Sequence, residues 1–237
     1  FYVTEDPVTK RSNQLWRLEL EGEPELLFEE QDELFGIGID RTKDERYLLL
    51  EARSTDTWET RVLEASAPRG EFRTFLPREK GHKYSLEHRD GAFYVRTNQG
   101  AENFRLVRVP ATATDLEKAE ELIPHRAEVL LSGFEPFAEH GVAIEEQEGL
   151  ARFRVLDFAK GTWSDITFPE PVYAAFPGGT PEFHSRSYRV SYQSLVSPAS
   201  IYDIDLGTLQ RTLRKQTELL GGFDARRYAS ERTWATA

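Results

Sequence analysis

The stretch from His82 to Leu106, HKYSLEHRDGAFYVRTNQGAENFRL, holds the side chains whose types and spacing come nearest to a chemical site. His82, Tyr84 and His88 are separated by even numbers of residues, so an extended strand would point all three to one face. As metal ligands, the two imidazoles would have to meet across about 18 to 20 Å of strand and find a third ligand. We therefore expect no metal site, and we interpret these residues as polar positions on the first strand of a β-sheet.

A hairpin connection, TNQGAEN, follows in the same stretch and is flanked by long polar side chains. Asn and Gly favour turns for local backbone reasons, so a structural role is one explanation. Side chains at the end of a sheet can also contact a facing domain or an entering ligand, and this alternative stays open. The candidates for substrate gating or interdomain contact are His82, Tyr84, Arg96, Asn98, Asn103 and Arg105.

Two further groups of residues resemble catalytic sets, but their local sequence argues against catalysis. The acidic run 144–149 (IEEQEG) offers paired carboxylates such as glycosidases use. It links two apolar runs, where we expect a hairpin turn with solvated acids. His184 lies beside Ser185 in FHSRS, but neighbouring side chains on an extended chain point apart and do not form a dyad. The sequence also contains no G-x-S-x-G nucleophile motif, so we assign no catalytic residue.

The elements that position these residues are short runs in which apolar and polar residues alternate, a period typical of β-strands. Aligned on their central residues, the runs recur in three series at steps of 44 to 49 residues. The series are Tyr2, Leu48, Tyr94, Val142 and Arg189; Trp16, Val62, Leu106, Phe153 and Tyr202; and Phe28, Leu76, Ile123, Phe168 and Leu213. A fourth run precedes four of these sets, in LFGIGID, HKYSLEH, VLLSGFEPF and PVYAAF. Four strands in one such period are typical of a β-propeller blade.

The repeat predicts an all-β fold, a β-propeller arc with four complete four-stranded blades and one partial blade that lacks its first strand. A closed five-bladed ring and a β-sandwich remain alternatives, although a sandwich would not need so regular a recurrence. We expect the large aromatic residues of the runs to pack between neighbouring sheets. Outside the strands, the segment 114–122 (TDLEKAEEL) is a candidate helical turn, and RTWATA, from Arg232, is predicted to begin another strand.

Composition limits the classes of partner. Thirty Lys and Arg against 41 Asp and Glu give a net charge of -11, which argues against nucleic acid and suits a cationic ligand. The absence of cysteine excludes disulfides and thiolate metal sites and fits a cytoplasmic location. No apolar run approaches the ~18 residues of a membrane span, so we expect no membrane partner.

The chain begins at Phe1 and contains no Met, so we expect it to be part of a longer protein.

Several separated motifs resemble, in the same order, the propeller of the oligopeptidase B branch of the prolyl oligopeptidase family of serine peptidases. These motifs are HKYSLEH, FYVRTNQGAENFRL, EELIPHR and LRKQTELLGGFDARRYASERTWATA. The resemblance spans nearly the whole chain and is densest at residues 76–106 and 209–237. It implies that the blades come from a seven-bladed propeller that caps an α/β-hydrolase domain. Residues 1–215 would then be the later blades, and residues 216–237 a hinge segment leading to that domain.

The same resemblance implies a function. The propeller would act as a size filter in a serine oligopeptidase that cleaves short peptides after Arg or Lys, without a metal or organic cofactor. The catalytic residues would lie in the hydrolase domain, so we expect residues 1–237 alone to be inactive. The implied partners are short basic peptides and the catalytic α/β-hydrolase domain of the same parent chain.

Two alternatives come from other classes of protein. One is a stand-alone propeller used as a binding or scaffold module, with no enzyme domain attached. The other is a five-bladed glycosidase or metal-dependent lactonase, which would need acidic or His ligands repeated on the first strands of several blades. The four runs LFGIGID, HKYSLEH, VLLSGFEPF and PVYAAF do not repeat such a set.

Overall fold

The computed structural model describes residues 1–235, which form five antiparallel β-sheets in two compact units, Phe1–His125 and Arg126–Ala237. The first unit contains three sheets. Sheet 1 consists of β1 (Tyr2–Glu5), β2 (Ser12–Arg17) and β3 (Glu25–Glu29), and sheet 2 consists of β4 (Gly36–Arg41), β5 (Tyr47–Arg53), β6 (Trp58–Glu64) and β7 (Arg73–Thr74). Sheet 3 consists of β8 (Tyr84–Arg89), β9 (Ala92–Thr97), β10 (Arg105–Pro110) and β11 (Glu120–Ile123). The second unit contains sheet 4 with β12 (Val129–Pro136), β13 (His140–Gln147), β14 (Leu150–Asp157) and β15 (Thr162–Ile166), and sheet 5 with β16 (Ala174–Pro177), β17 (Ser187–Gln193), β18 (Ser200–Asp205) and β19 (Arg211–Gln216). A 3-10 turn spans Ala225–Arg227.

Each sheet is a meander in which every strand pairs with the next strand along the chain. Sheet 1 has three strands and the other four have four strands each. The prediction of four complete sheets and one partial sheet is therefore confirmed. The central residues of the first two predicted series all lie inside strands, because the alternating pattern marks a half-buried strand reliably.

Turn chemistry in the sequence fixes several hairpins. Asp90 and Gly91 both have positive φ, 52° and 71°, as the two-residue turn between β8 and β9 requires. Asp6 Oδ1 accepts hydrogen bonds from the backbone N–H groups of Val8 and Thr9 between β1 and β2. Asp205 Oδ1 makes the equivalent contacts between β18 and β19. These local bonds help to fix the register of the strands that they connect.

The core of the first unit lies between the faces of neighbouring sheets. β8 alternates strictly between buried and half-buried residues. Its buried face packs with Phe93 and Val95 of β9 and with Leu49 and Val62 of sheet 2. A second cluster joins Leu15 of sheet 1 to Ile37 and Leu50 of sheet 2.

The core of the second unit joins sheets 4 and 5. Val142 and Phe153 of sheet 4 pack with Tyr188 and Val190 of sheet 5. Phe153 and Tyr188 contact each other with ring centroids 6.0 Å apart. The prediction that large aromatic residues fill the space between sheets holds for Phe153 here and for Phe93 in the first unit.

Three local expectations were wrong. The segment 114–122 forms bends and turns followed by β11, not a helical turn, because Glu120–Ile123 pairs with β10. Leu76 and Phe168 lie just beyond β7 and β15 rather than inside them. Residues Arg232 to Ala235 form no strand, and the last two residues of the RTWATA motif lie outside the described residues.

Candidate functional site

The candidate residues of the His82–Leu106 stretch gather at one end of sheet 3. In register, Tyr84 of β8 pairs with Thr97 of β9, and Thr97 pairs with Arg105 of β10. The fourth strand, β11, finishes at the same end, since Leu106 pairs with Ile123. We call this end of each four-stranded sheet, where the fourth strand finishes, the exit end.

His82 and Tyr84 are buried beneath this end. His82 is 6% exposed, and its Nε2 shares a 2.8 Å hydrogen bond with Thr97 Oγ1. Burial lowers the pKa of the His82 imidazole, and the nearby Glu79 opposes that shift in part. Tyr84 is 1% exposed, and its hydroxyl accepts from the backbone N–H of Thr60 at 2.8 Å. His82 therefore fixes the end of β9 through Thr97, whereas Tyr84 links β8 to sheet 2.

His88 lies at the other end of β8 and forms a separate buried pair. Its Nδ1 donates to Asp44 Oδ2 over 2.6 Å, and both side chains are about as buried as core residues. Burial opposes ionisation of Asp44, but hydrogen bonds from His88 and Thr42 lower the pKa of its carboxyl overall. The predicted common face of His82, Tyr84 and His88 is confirmed by their alternating burial. Among residues 1–235, no group of three His, Cys, Asp or Glu side chains is placed to hold a metal ion.

Asn98 attaches the β9–β10 connection to the segment before β8. Its Oδ1 accepts from the backbone N–H of Lys83 at 2.8 Å, and its Nδ2 donates to Gly81 O at 2.9 Å. The amide thus continues the β-ladder by one more residue pair. Asn103 lies half-buried in the same connection, before Phe104, which has a φ of 63°.

Two arginines frame this connection. The Arg96 guanidinium lies 3.5 Å from the centre of the Phe104 ring. Burial, with a smaller contribution from the charge of Arg53, lowers the pKa of Arg96 to about 10. Arg105 Nη1 donates to Glu121 Oε1 of β11 at 3.3 Å and keeps 29% of its side chain exposed. Arg96, Asn98, Asn103 and Arg105 are thus brought together at the exit end of sheet 3.

The structure also shows a buried carboxylate, Glu145, where the sequence predicted a solvated turn. Glu145 lies within β13 rather than in a turn, and its side chain is 1% exposed. Arg126 contacts its carboxylate at 2.5 Å and Arg154 at 3.2 Å. The turn itself is only Glu148 and Gly149. Arg152, which pairs with Glu145 across the hairpin, was the available signal.

The Ser and His residues near position 185 make local contacts, as expected for neighbours on an extended chain. Ser185 Oγ donates to Ser187 O at 2.8 Å. The His184 ring packs edge-on against Phe183, 5.2 Å away. These contacts give neither serine an activating base.

Each sheet of the second unit carries a groove among its described residues. One, of about 340 Å³, lies on a face of sheet 5 and includes Phe176, Ile201 and Lys215. The other, of about 280 Å³, lies at the exit end of sheet 4 and includes Glu148, Arg152 and Tyr173. Within residues 1–235, no helix is long and apolar enough to cross a bilayer.

Comparison with known proteins places this geometry in a family. A family profile described as "Prolyl oligopeptidase, N-terminal beta-propeller domain" matches residues 1–217. The chain is 33% identical over its full length to dipeptidyl aminopeptidase BI of Pseudoxanthomonas mexicana and 26% identical to Protease 2 of Moraxella lacunata. It spans about a third of each, 33% and 34% of their lengths.

A solved structure gives the same result. Oligopeptidase B of Trypanosoma brucei, with covalently bound antipain, superposes with a TM-score of 0.87 at 26% identity. The match covers 95% of this chain and 34% of that one. Relatives therefore include Protease 2 and oligopeptidase B, as the sequence motifs predicted. The chain belongs to the prolyl oligopeptidase family and forms part of its N-terminal β-propeller domain.

Proposed function

We propose that this chain is the substrate-gating part of a serine oligopeptidase that cleaves short peptides after Arg or Lys. The observation that carries the proposal is the fold match to oligopeptidase B together with the family match over residues 1–217. A ring of sheets in front of a catalytic pocket excludes folded proteins, while flexible peptides enter through the ring or when the two domains open. The propeller would thus select substrates by size.

The exit end of sheet 5 supports the proposed domain division to within two residues. β19 finishes at Gln216, and the backbone N–H of Thr217 bonds to Ala199 O at that end. We assign residues 1–215 to the propeller and 216–237 to a hinge segment that leads to an α/β-hydrolase domain. The family match ends at residue 217, which supports this boundary.

The gating residues are then those at the exit ends, because the hinge segment leaves from an exit end. Arg96, Asn98, Asn103 and Arg105 supply charge and amide groups to contact a peptide or the facing domain. His82 holds the end of β9 in place through Thr97, and Tyr84 links β8 to Thr60 of sheet 2. The bond-breaking groups, a serine with its histidine and aspartate, would lie on the hydrolase domain.

The acidic composition has a use in this scheme. A net charge of -11 attracts basic peptides and speeds their encounter with the enzyme, an effect that salt screens. In the full-length enzyme, we expect kcat/KM for an Arg peptide to fall with added NaCl. An unchanged value from 20 to 500 mM NaCl would remove this part of the proposal.

A test of the proposed activity uses the full-length protein that contains this chain. We expect kcat/KM for a short peptide with Arg or Lys before the cleaved bond to exceed that for Leu by at least about 100-fold. A casein-sized chain and a folded protein should remain uncut. Equal cleavage of Arg and Leu peptides would contradict the substrate class, and cleavage of the folded protein would contradict the size filter.

The role of the exit end of sheet 3 is tested by a matched pair of arginines on one strand. Arg105→Gln should change the ratio of rates for long and short peptides several-fold, because Arg105 lies at the proposed entrance. Arg108→Gln removes an exposed cation further along β10, paired with Glu120, and should leave the ratio unchanged. Equal effects of the two substitutions would show that the exit end has no special role.

A second activity is supported by the 33% identity to dipeptidyl aminopeptidase BI. In that case the same gate would admit peptide amino termini, and the products would be dipeptides. Mass spectrometry of products from one peptide with an internal Arg separates the two: cleavage after Arg supports the first proposal, and successive loss of dipeptides supports the second.

A further inference from the structure

The segment after the last sheet, residues 217–235, is nearly all exposed, yet one of its side chains contacts sheet 4. It contains the 3-10 turn Ala225–Arg227 and a stacked ring pair, Phe223 and Tyr228, with centroids 5.5 Å apart. These contacts lie within the segment itself. They give it local structure but do not fix its direction.

Arg232 makes the contact that fixes the direction of this segment. Its Nη1 donates to Glu148 Oε2 at 3.1 Å, and its Nη2 donates to the backbone oxygen of the same residue. The guanidinium also lies 4.3 Å from the centre of the Trp234 ring. As a result, only 25% of the Arg232 side chain is exposed. One planar cation thus joins two acceptors that are 84 residues away in sequence.

The turn that Arg232 contacts is rigid. Glu148 and Gly149 form the two-residue turn between β13 and β14, with φ values of 53° and 75°. The two strands pair without interruption from His140 and Asp157 to Gln147 and Leu150. A tight turn on a complete ladder presents the carboxylate and carbonyl of Glu148 at a fixed place, at the exit end of sheet 4.

The hinge segment has no net charge of its own. Residues 216–237 carry three basic and three acidic side chains, whereas the whole chain has a net charge of -11. The contact of Arg232 with Glu148, rather than a general attraction of charge, therefore holds the segment on sheet 4. Because Glu148 is 61% exposed, the ion pair is of the weak, reversible kind.

We propose that Glu148 and Arg232 form a latch that fixes the direction of the hinge segment and so controls how far the propeller and the following domain open. This inference rests on the proposed gating function. Closing the latch holds the segment on sheet 4, and opening it frees about 19 residues to act as a hinge. A weak ion pair suits this role, because substrate binding can shift the equilibrium between the closed and the open latch.

The test measures the latch directly by spin-label distances in the full-length protein. Labels are placed at Ala229→Cys in the hinge segment and Lys160→Cys in sheet 4. Residues 1–237 contain no cysteine of their own, and any cysteine elsewhere in the full-length protein is first replaced by serine. We expect a narrow distance distribution that Arg232→Gln or Glu148→Gln broadens, with the latched fraction reduced about fivefold. The double substitution should add little to either one. Glu148→Arg with Arg232→Glu should recover part of the narrow component.

Arg226→Gln is the matched control, since Arg226 is 90% exposed and pairs with Asp224 within the hinge segment. It should leave the distribution unchanged. An unchanged distribution in Arg232→Gln would overturn the latch. A broadened distribution without faster cleavage of long peptides would overturn its control of opening. Failure of the gating function itself is a different result, visible as equal cleavage of Arg and Leu peptides by the unmodified enzyme.

Discussion

Sheets 3 and 5 share one meander topology but use their polar side chains in opposite ways. In β9 of sheet 3, five of six residues are buried, and its Thr97 is fully buried against His82. In β19 of sheet 5 all six residues are exposed, and the hinge segment that follows is exposed as well. Polar groups of sheet 3 are therefore part of the packing, whereas those after sheet 5 form surface contacts that can be exchanged.

The difference shows that residue type alone does not identify a functional residue in this fold. Histidine and tyrosine, often taken as reactive, occupy the core of sheet 3. An arginine near the chain's end makes the more adjustable contact. Substitutions of the same residue type in the two regions should therefore have unequal effects, which the following predictions measure.

The largest difference is expected between two aspartates. Asp44→Ala removes the acceptor of a buried hydrogen bond and leaves His88 without its partner, which should cost about 3 to 5 kcal/mol of unfolding free energy. Asp224→Ala removes an exposed carboxylate in the hinge segment and should cause no measurable change. Urea denaturation of both variants provides the measurement. A cost below about 1 kcal/mol for Asp44→Ala would mean that the pair contributes little to packing.

Two tyrosines provide a smaller contrast. Tyr84→Phe removes the oxygen that accepts from Thr60 N–H and leaves that buried donor unpaired, at a cost of about 1 to 3 kcal/mol. Tyr228→Phe alters a side chain that is 58% exposed, so denaturation should match the unmodified chain. If both variants unfold at the same urea concentration, the buried hydroxyl is not a structural contact.

The pH dependence of stability separates two histidines. Burial lowers the pKa of His82 in the folded chain, so its contribution is complete above the unfolded value of about 6.5 and is lost as pH falls below it. His82→Asn should flatten the stability curve in this range. His184→Asn, at an exposed position, is the control substitution and should leave the free energy of unfolding unchanged at neutral pH. The Asp44 contribution is lost in a separate range, below about pH 3.9, because its folded pKa is also lowered.

The smallest effect on stability is expected for a substitution on sheet 5. There the measured property is self-association of the chain. Phe176 is 60% exposed on the face that carries the larger groove. We expect the 237-residue chain to associate through this face, and Phe176→Ser to reduce light scattering at a given concentration without changing the unfolding free energy. Val8→Ser, at an 86% exposed hairpin residue, is the control and should leave scattering unchanged.

Much of the fold could be predicted because its signals are local. Alternating polarity located strands such as β8 and β13, and the motif TNQGAEN marked the connection between β9 and β10. The repeat then fixed how many strands belong to each sheet. The expected helical turn at 114–122 failed because pairing with β10 overrode helix-favouring composition.

The candidate site was predicted only in part. The sequence located the β9–β10 connection and its polar residues, and these do meet at one end of sheet 3. It did not show that Glu145 is enclosed by Arg126 and Arg154, nor that Arg232 reaches Glu148. Such contacts join residues far apart in the chain, and no local pattern specifies them.

The amino-acid sequence by itself therefore determined the strands, the hairpins and the blade repeat, since each depends on residue type within a few positions. The tertiary structure decided which polar side chains are buried and which remain free to act. That outcome depends on how the face of one sheet covers the face of the next, because solvent exposure is a property of the packed sheets and not of any single strand.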